Sequence, residues 1–208
     1  MELEGFESFV TVIDARLNHE QVSYYNELGL PWLVARGCEF AVVLDVDEFV
    51  YVLPSYGLSN VSLSLRETIV STFDADLHLA QISCNWYMFG SSGLVKHPHA
   101  PTGGVRLNFT LRAALPHQNK KSFVRISSLY RFKVHQHDVD GLSMNCPPSI
   151  RLNHYAVQSR EYFERVKIPR GDVASATLDS HRDWNYFSLY DFSEVHDEVL
   201  RDLVLQHF

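Results

Sequence analysis

Apolar and polar positions along this 208-residue chain follow two rhythms, and the switches between them mark its elements. Five apolar residues, Phe40-Ala-Val-Val-Leu44, run straight into Asp45-Val-Asp47-Glu48, and Phe49-Val-Tyr-Val52 then resume the apolar pattern. The first run is short and reads as a strand buried on both faces, in the manner of a parallel sheet. Residues 8–13 are a β-rich run. Residues 77–83 alternate as a strand does, and Val105, Leu107, Phe109 and Leu111 alternate too, although a helix is open there. Residues 121–126, 130–137 and 149–154 are further strands, with turns at Asp140-Gly141 and Cys146-Pro-Pro148. Asn18 with Gln21 resembles a capping box for a helix that Gly29-Leu-Pro31 interrupts and Gly37 closes; Ser64 with Glu67 opens another through about Thr72. Ser159 caps a helix across 162–167, and Ser193 caps a last one with an apolar face at Val195, Val199 and Leu203.

Strand, helix, buried strand and carboxylates follow in the order of a β-α-β unit, whose ligands lie at the carboxyl ends of strands. In extended chain Asp45 and Asp47 point one way and Val46 points back to the core. Carboxylates at the end of a buried strand require compensation, and hard oxygen donors of this kind select magnesium, manganese or calcium. A solvated turn after a core strand is the plain alternative.

Composition narrows the classes. The 46% hydrophobic content excludes disorder, and the length suits one domain over 1–208, with a core at about 8–171 and a helical segment over 172–208. Eighteen Lys and Arg against 25 Asp and Glu give a net charge of −7, which argues against a nucleic-acid or anionic-membrane surface. A phosphate ligand would need local help, and Lys120, Lys121, Arg125, Arg131 and Lys133 cluster despite the acidic total. Three widely spaced cysteines, Cys38, Cys84 and Cys146, indicate neither a disulfide framework nor a zinc knuckle, so free thiols are expected. No stretch approaches the roughly 20 apolar residues that span a bilayer, so the chain as given is expected to be soluble.

Three other groupings carry chemistry. Trp86, Tyr87 and Phe89 beside Gly90-Ser-Ser-Gly93 set flat aromatic surface next to permissive backbone, as sugar rings require, although aromatics in a core with glycines in a turn are commoner. His135, His137 and His154 arise from successive strands, and one of them is available to complete a metal shell. Lys167 and Arg170 end a helix, where cations also complement its negative terminus.

In order, these motifs resemble the glycosyltransferases of family 92 and their family-2-like neighbours. The resemblance spans about residues 9–171 and rests on Asp45, Asp47, Glu48 and Phe49, on Trp86, Phe89, Gly90, Ser91 and Gly93, and on Lys121, Ser122 and Arg125. It continues with His135, His154, Tyr155, Ser159, Phe163, Lys167, Arg170 and Gly171. It implies an α/β class of GT-A type, a Rossmann-like mixed sheet flanked by helices. It further implies an inverting hexosyltransferase that binds Mn2+ or Mg2+ through Asp45, Asp47 and His154. The same two aspartates with Lys121, Arg125, Lys167 and Arg170 would hold the diphosphate of a nucleoside-diphosphate sugar, a UDP-hexose above all. Trp86, Phe89, Gly90, Ser91 and Gly93 would meet the sugar or a glycan or other hydroxyl acceptor, with Asp138 as general base. The fold normally places two or three β-α steps before Asp-x-Asp, whereas barely one precedes it here, so a shortened nucleotide-binding half is expected. A non-catalytic binding or assembly module is therefore the alternative. A metal phosphoesterase is disfavoured, because only Asp74 and Asp76 offer a second acidic cluster. The compartment follows the parent chain: the Golgi lumen for a piece of a membrane-anchored protein, the cytoplasm otherwise.

Overall fold

The computed structural model describes residues 10–13, 20–54, 64–99, 104–171 and 182–206, six helices around a curled mixed sheet. Helix α1 (residues 21–35) joins Gln21–Tyr24, a π-helical stretch Tyr25–Gly29, and Leu30–Ala35. The interruption expected at Gly29-Leu-Pro31 does not occur. Gly29 and Leu30 keep helical angles, and the π turn places Pro31 in the first turn of the next α segment, where its missing N–H is tolerated. Gly37, at φ +67°, ends the helix as expected. Asn18, the expected cap, lies outside the described residues.

Strands β1 (Phe40–Val42) and β2 (Glu48–Val52) flank the carboxylates. Helix α2 (Leu65–Asp74) carries the capping box at Ser64 and Glu67 and leads into β3 (Leu79–Met88). Next come α3 (Gly104–Asn108), β4 (Leu111–Arg112), β5 (Lys120–Arg125), β6 (Leu129–Arg131), β7 (Asp138–Val139), β8 (Leu142–Asn145) and β9 (Ile150–His154). The chain ends with α4 (residues 160–170), α5 (Trp184–Tyr190), β10 (Val195–His196) and α6 (Val199–Leu205). Ser159 caps α4, accepting from the Tyr162 amide, as expected. Ser193 caps nothing, because Val195 is taken into β10 against β4, and α6 starts only at Val199. Residues 10–13 form no strand, and of the run 130–137 only Tyr130 and Arg131 are strand.

The main sheet has the order β1-β5-β3-β9-β2, with β8 also on β3. Strand β5 runs antiparallel to both β1 and β3, while β8 and β9 run parallel to β3, and β2 runs antiparallel to β9. Strand β1 is thus a half-buried edge strand in an antiparallel pair, not the doubly covered parallel strand its sequence suggested. Its core neighbour is Phe73, stacked on Phe40 at 4.5 Å. The Arg125 guanidinium lies 5.2 Å from both rings and donates to the carbonyls of Phe73 at 3.0 Å and Leu79 at 3.2 Å. Gly141 is required where the turn before β8 crosses β3: its φ is +133°, and a Cβ there would lie 2.6 Å from the His78 carbonyl oxygen.

The C-terminal segment is held by one buried acid. Asp197 accepts from Arg112 Nε at 2.6 Å and from Arg151 Nη1 at 2.5 Å, and both guanidinium groups stack on Tyr87, at 5.0 and 4.4 Å.

Cys84 and Cys146 form a disulfide, which corrects the expectation of three free thiols; Cys38 alone is free. The pairing follows from parallel strands: Ser83 lies opposite Asn145, so the next residue of each chain falls at the same level, with Cα atoms 4.7 Å apart. Spacing in sequence could not reveal it, since 62 residues separate the two. Closing a loop of that length stabilises the native state by about 4 kcal/mol in the chain-entropy account. The folded protein is expected to show one reactive thiol before reduction and three after, with a clearly lower melting temperature in reductant. An unchanged melt after complete reduction would refute a stabilising disulfide.

Candidate functional site

Because β1, β3 and β9 run in one direction and β2 and β5 in the other, the carboxyl ends of the first three meet the starts of the other two at one end of the sheet. Asp45 follows β1, Asp47 and Glu48 open β2, Trp86 and Met88 end β3, Lys121 begins β5, and His154 is the last residue of β9. His154 pairs in register with both Glu48 and Met88. A cleft of about 220 Å³ opens there, walled by Asp45, Asp47, Trp86, His154, Arg170 and Arg182. Two larger hollows, one beside α2 and β8 and one between β1 and α2, bring together no comparable set of charged groups.

Between β1 and β2 the backbone turns instead of staying extended, so Val46 projects into solvent, 88% exposed, and not back to the core. The turn separates the aspartates by burial. Asp45 remains 38% exposed at its side chain, accepts from Gln21 Nε2 at 3.3 Å, and takes Lys121 Nζ at 3.1 Å. Asp47 is buried, and its Oδ2 accepts from Lys167. Burial alone would raise the Asp47 carboxyl; the Lys167 charge, His154 and the Lys167 hydrogen bond outweigh it and hold the group below the usual range. Each lysine is 1% exposed at its side chain, so both ammonium groups depend on these carboxylates for compensation.

Glu48 contrasts with its neighbour. Its Oε2 accepts from the Asp45 amide at 3.0 Å, Lys121 stands 3.6 Å away, and Oε1 is buried without a hydrogen-bond partner among the described residues. Burial exceeds the pull of Lys121 and pushes this carboxyl up to about 7. His154 Nε2 lies 3.8 Å from Asp47 Oδ1, the ring sits 4.2 Å from Trp86, and Nδ1 has no hydrogen-bond partner among the described residues. Burial brings its imidazole down to about 4 against the attraction of Asp47, so His154 is neutral near pH 7.

Among the described residues no group of three or more His, Cys, Asp and Glu side chains is already disposed around one point as a metal shell. The donor chemistry nevertheless fits a hard divalent ion: an accessible carboxylate, a carboxylate kept anionic, and a neutral imidazole face one cleft. Lysine ammonium groups now occupy one oxygen of each aspartate, where positive charge is wanted.

Several expected site residues lie elsewhere. Arg125 is held by backbone carbonyls between Phe40 and Phe73. Asp138 pairs with Lys133 and is not on the cleft wall. Phe89 is core, 4.7 Å from Tyr155, and Gly90 permits close packing: a Cβ there would lie 2.2 Å from the Phe192 carbonyl oxygen. Ser91 is buried, donating its amide to Asp191 at 2.6 Å while its hydroxyl accepts from Gly93. The glycine-rich segment therefore fastens the C-terminal segment and does not wall the cleft. His137 is structural as well, tied to Gln81 and the Ser122 carbonyl. Arg182 and Tyr186, which do line the cleft, carried no sequence signal, because they belong to no local pattern and arrive by the packing of α5.

No protein-family model and no curated protein matches this chain.

Removing one member of a buried ion pair strands the other. Asp47→Ala is expected to cost about 3–5 kcal/mol, and Lys167→Met in that background to restore most of it, in denaturant titrations of the four-member cycle. Additive losses would show that the two side chains do not interact.

The pH response has two opposing parts. His154, near 6.5 when unfolded and about 4 when folded, contributes stability above 6.5 that is lost as pH falls toward 4. Glu48, near 4.5 unfolded and about 7 folded, contributes stability that is gained as pH falls from 7 toward 4.5. The wild type is expected to show a shallow profile between these limits. Glu48→Gln should steepen the loss on acidification, and His154→Gln should turn it into a gain; parallel profiles for all three proteins would contradict the assignment.

Proposed function

We propose that the cleft is the donor site of a metal-assisted hexosyltransferase acting on a nucleoside-diphosphate sugar, a UDP-hexose in particular, with a glycan or other hydroxyl as acceptor. The observation that carries this reading is the convergence of Asp45, Asp47 and neutral His154 with Arg170 and Arg182 in one cleft at the carboxyl ends of parallel strands. Cleaving an anomeric C–O bond places negative charge on the departing diphosphate, and cations fixed in a partly desolvated cleft stabilise it as it develops. Arg170 and Arg182 are placed for that role. Trp86 lines the cleft, but its ring is buried against His117, His135 and His154, so stacking on a sugar is no longer assigned to it. Asp45, Asp47 and His154 are the residues that would hold manganese or magnesium, which when bound supplies further positive charge against the diphosphate. Lys167 keeps Asp47 ionised, and Lys121 and Lys167 fix the two aspartates in position. Asp138 is no longer assigned a role as base, being paired to Lys133 outside the cleft.

The disulfide favours an oxidising compartment, such as the lumen of the secretory pathway, over the cytoplasm. Among the described residues no helix is long and apolar enough to cross a membrane. The two lysines also favour a second reading, a binding module that uses the cleft without transfer, because they already neutralise both carboxylates.

Thermal melts with UDP-hexoses, with and without Mn2+, separate the two. Asp45→Asn and Asp47→Asn suit this test better than alanine, since they keep a polar partner beside each lysine. At a ligand concentration 100 times Kd the wild type is expected to gain about 2.7 kcal/mol, and at that same concentration the gain should shrink when the metal or either aspartate is removed. Hydrolysis of the same sugar nucleotide should follow the same dependence. Absence of any shift across the panel would sink the transferase reading.

A further inference from the structure

The cleft holds more positive than negative charge. Asp45 is matched by Lys121 and Asp47 by Lys167, whereas among the described residues neither Arg170 nor Arg182 forms an ion pair. Arg182 is the more unusual of the two. Its Nε and Nη1 are buried and have no hydrogen-bond partner among the described residues, although a guanidinium offers five N–H donors. The group lies 5.5 Å over the Tyr186 ring, which supports one face and leaves the N–H edges to find acceptors elsewhere. Arg182 and Arg170 line the same cleft, and the buried Lys167 and His154 are near enough to feel the Arg182 charge. Leaving buried donors unsatisfied costs free energy that a folded protein recovers only when an acceptor arrives.

We infer that Arg182, assisted by Arg170, forms an oxyanion subsite that takes a phosphate or diphosphate group without a metal ion. An anion here meets two cations that pair with no carboxylate among the described residues, and several acceptor oxygens satisfy the unpaired N–H groups together. The metal, when present, adds to an anion already held. Identifying this anion with the diphosphate of a sugar nucleotide rests on the transferase reading above; the subsite itself rests on Arg182.

Calorimetry on the full chain in EDTA, with inorganic pyrophosphate and then UDP as titrant, tests the inference. Pyrophosphate is expected to bind wild type in the absence of metal, and to bind Arg182→Gln on the order of tenfold or more weakly. Arg182→Lys should recover only part of the loss, because an ammonium is a point charge on a longer-ranging stem. Arg131→Gln, which removes an exposed cation outside the cleft, should leave binding unchanged. Without ligand, Arg182→Gln should melt no lower than wild type, since the charge it removes has no ion-pair partner among the described residues; if it fails to fold, Arg170→Gln gives the same readout with a smaller effect. Binding that appears only with Mn2+, or that Arg182→Gln reduces no more than Arg131→Gln does, would overturn the subsite. UDP binding no tighter than pyrophosphate, with the Arg182 dependence intact, would support the subsite and remove the sugar-nucleotide reading instead.

Discussion

Two lysines cut off from solvent are compensated by two carboxylates at the carboxyl end of the sheet, and the surrounding architecture is constrained by that requirement. Lys121 reaches Asp45 across 76 residues and Lys167 reaches Asp47 across 120, so strand β5, the β1–β2 turn and helix α4 must all arrive correctly before either charge is covered. A buried ammonium without its partner costs several kcal/mol, more than most single contacts contribute. The pairs therefore act as a condition on topology and are weak sources of net stability. Helix α4 meets the condition with a π-helical stretch that ends on Lys167, a distortion of the kind that re-aims a side chain at a functional site. The same ion pairs fix where the Asp47 carboxylate stands and leave its Oδ1 toward His154.

The aromatic and glycine-rich segment shows how similar residues serve packing and recognition in different places. Trp86 and Met88 are the side chains of β3 that reach the cleft; the next residue, Phe89, turns into a cluster with Tyr51, Phe109, Tyr155 and Leu200. Ser92 takes up φ 51°, an uncommon angle for a residue with a side chain, and its hydroxyl accepts from the amides of Thr110 and Leu111. Gly90 admits the backbone of Phe192 at a distance that no Cβ would tolerate. Glycine there provides contact between two parts of the chain, which is the same physical allowance that close approach to a substrate would need.

That equivalence explains much of what the sequence left open. Local chemistry was readable where a side chain answers to its own segment: the Ser64 and Glu67 capping box, the Ser159 cap, strands β5 and β9, and the carboxylates at a strand end all stand where residue pattern put them. Features decided by a distant partner were not readable. The apolar run at Phe40 fits an edge strand as well as a central one, because α2 covers it on one side through Phe73, and only pairing with β5 tells the two apart. The alternation that sent Val46 inward assumed extended backbone across Asp45-Val-Asp47, and a turn there reverses the outcome. Cys84 and Cys146 meet through the parallel register of β3 and β8, and Arg182 reaches the cleft through the packing of α5; neither has a signature in its neighbours.

Overall charge and local charge also part company here, and the difference bears on what the cleft attracts. A net charge of −7 would repel a phosphorylated ligand at long range, yet at physiological ionic strength exposed charges are screened beyond about 8 Å. Inside the cleft the nearest fixed charges decide. Asp45 and Asp47 are answered by Lys121 and Lys167, Glu48, with its carboxyl pushed up to about 7, is only half ionised at pH 7, and His154 is neutral, which leaves a positive surplus with the two arginines. A cation entering alone would share the aspartates with the lysine ammonium groups while facing that surplus. An anion meets no such competition, and once it is bound the local sum approaches zero. A divalent ion would then enter beside a negative ligand, on carboxylates whose geometry the lysines have already fixed. The electrostatics of this cleft thus favour anion before cation, an order that the paired carboxylates viewed by themselves would have reversed.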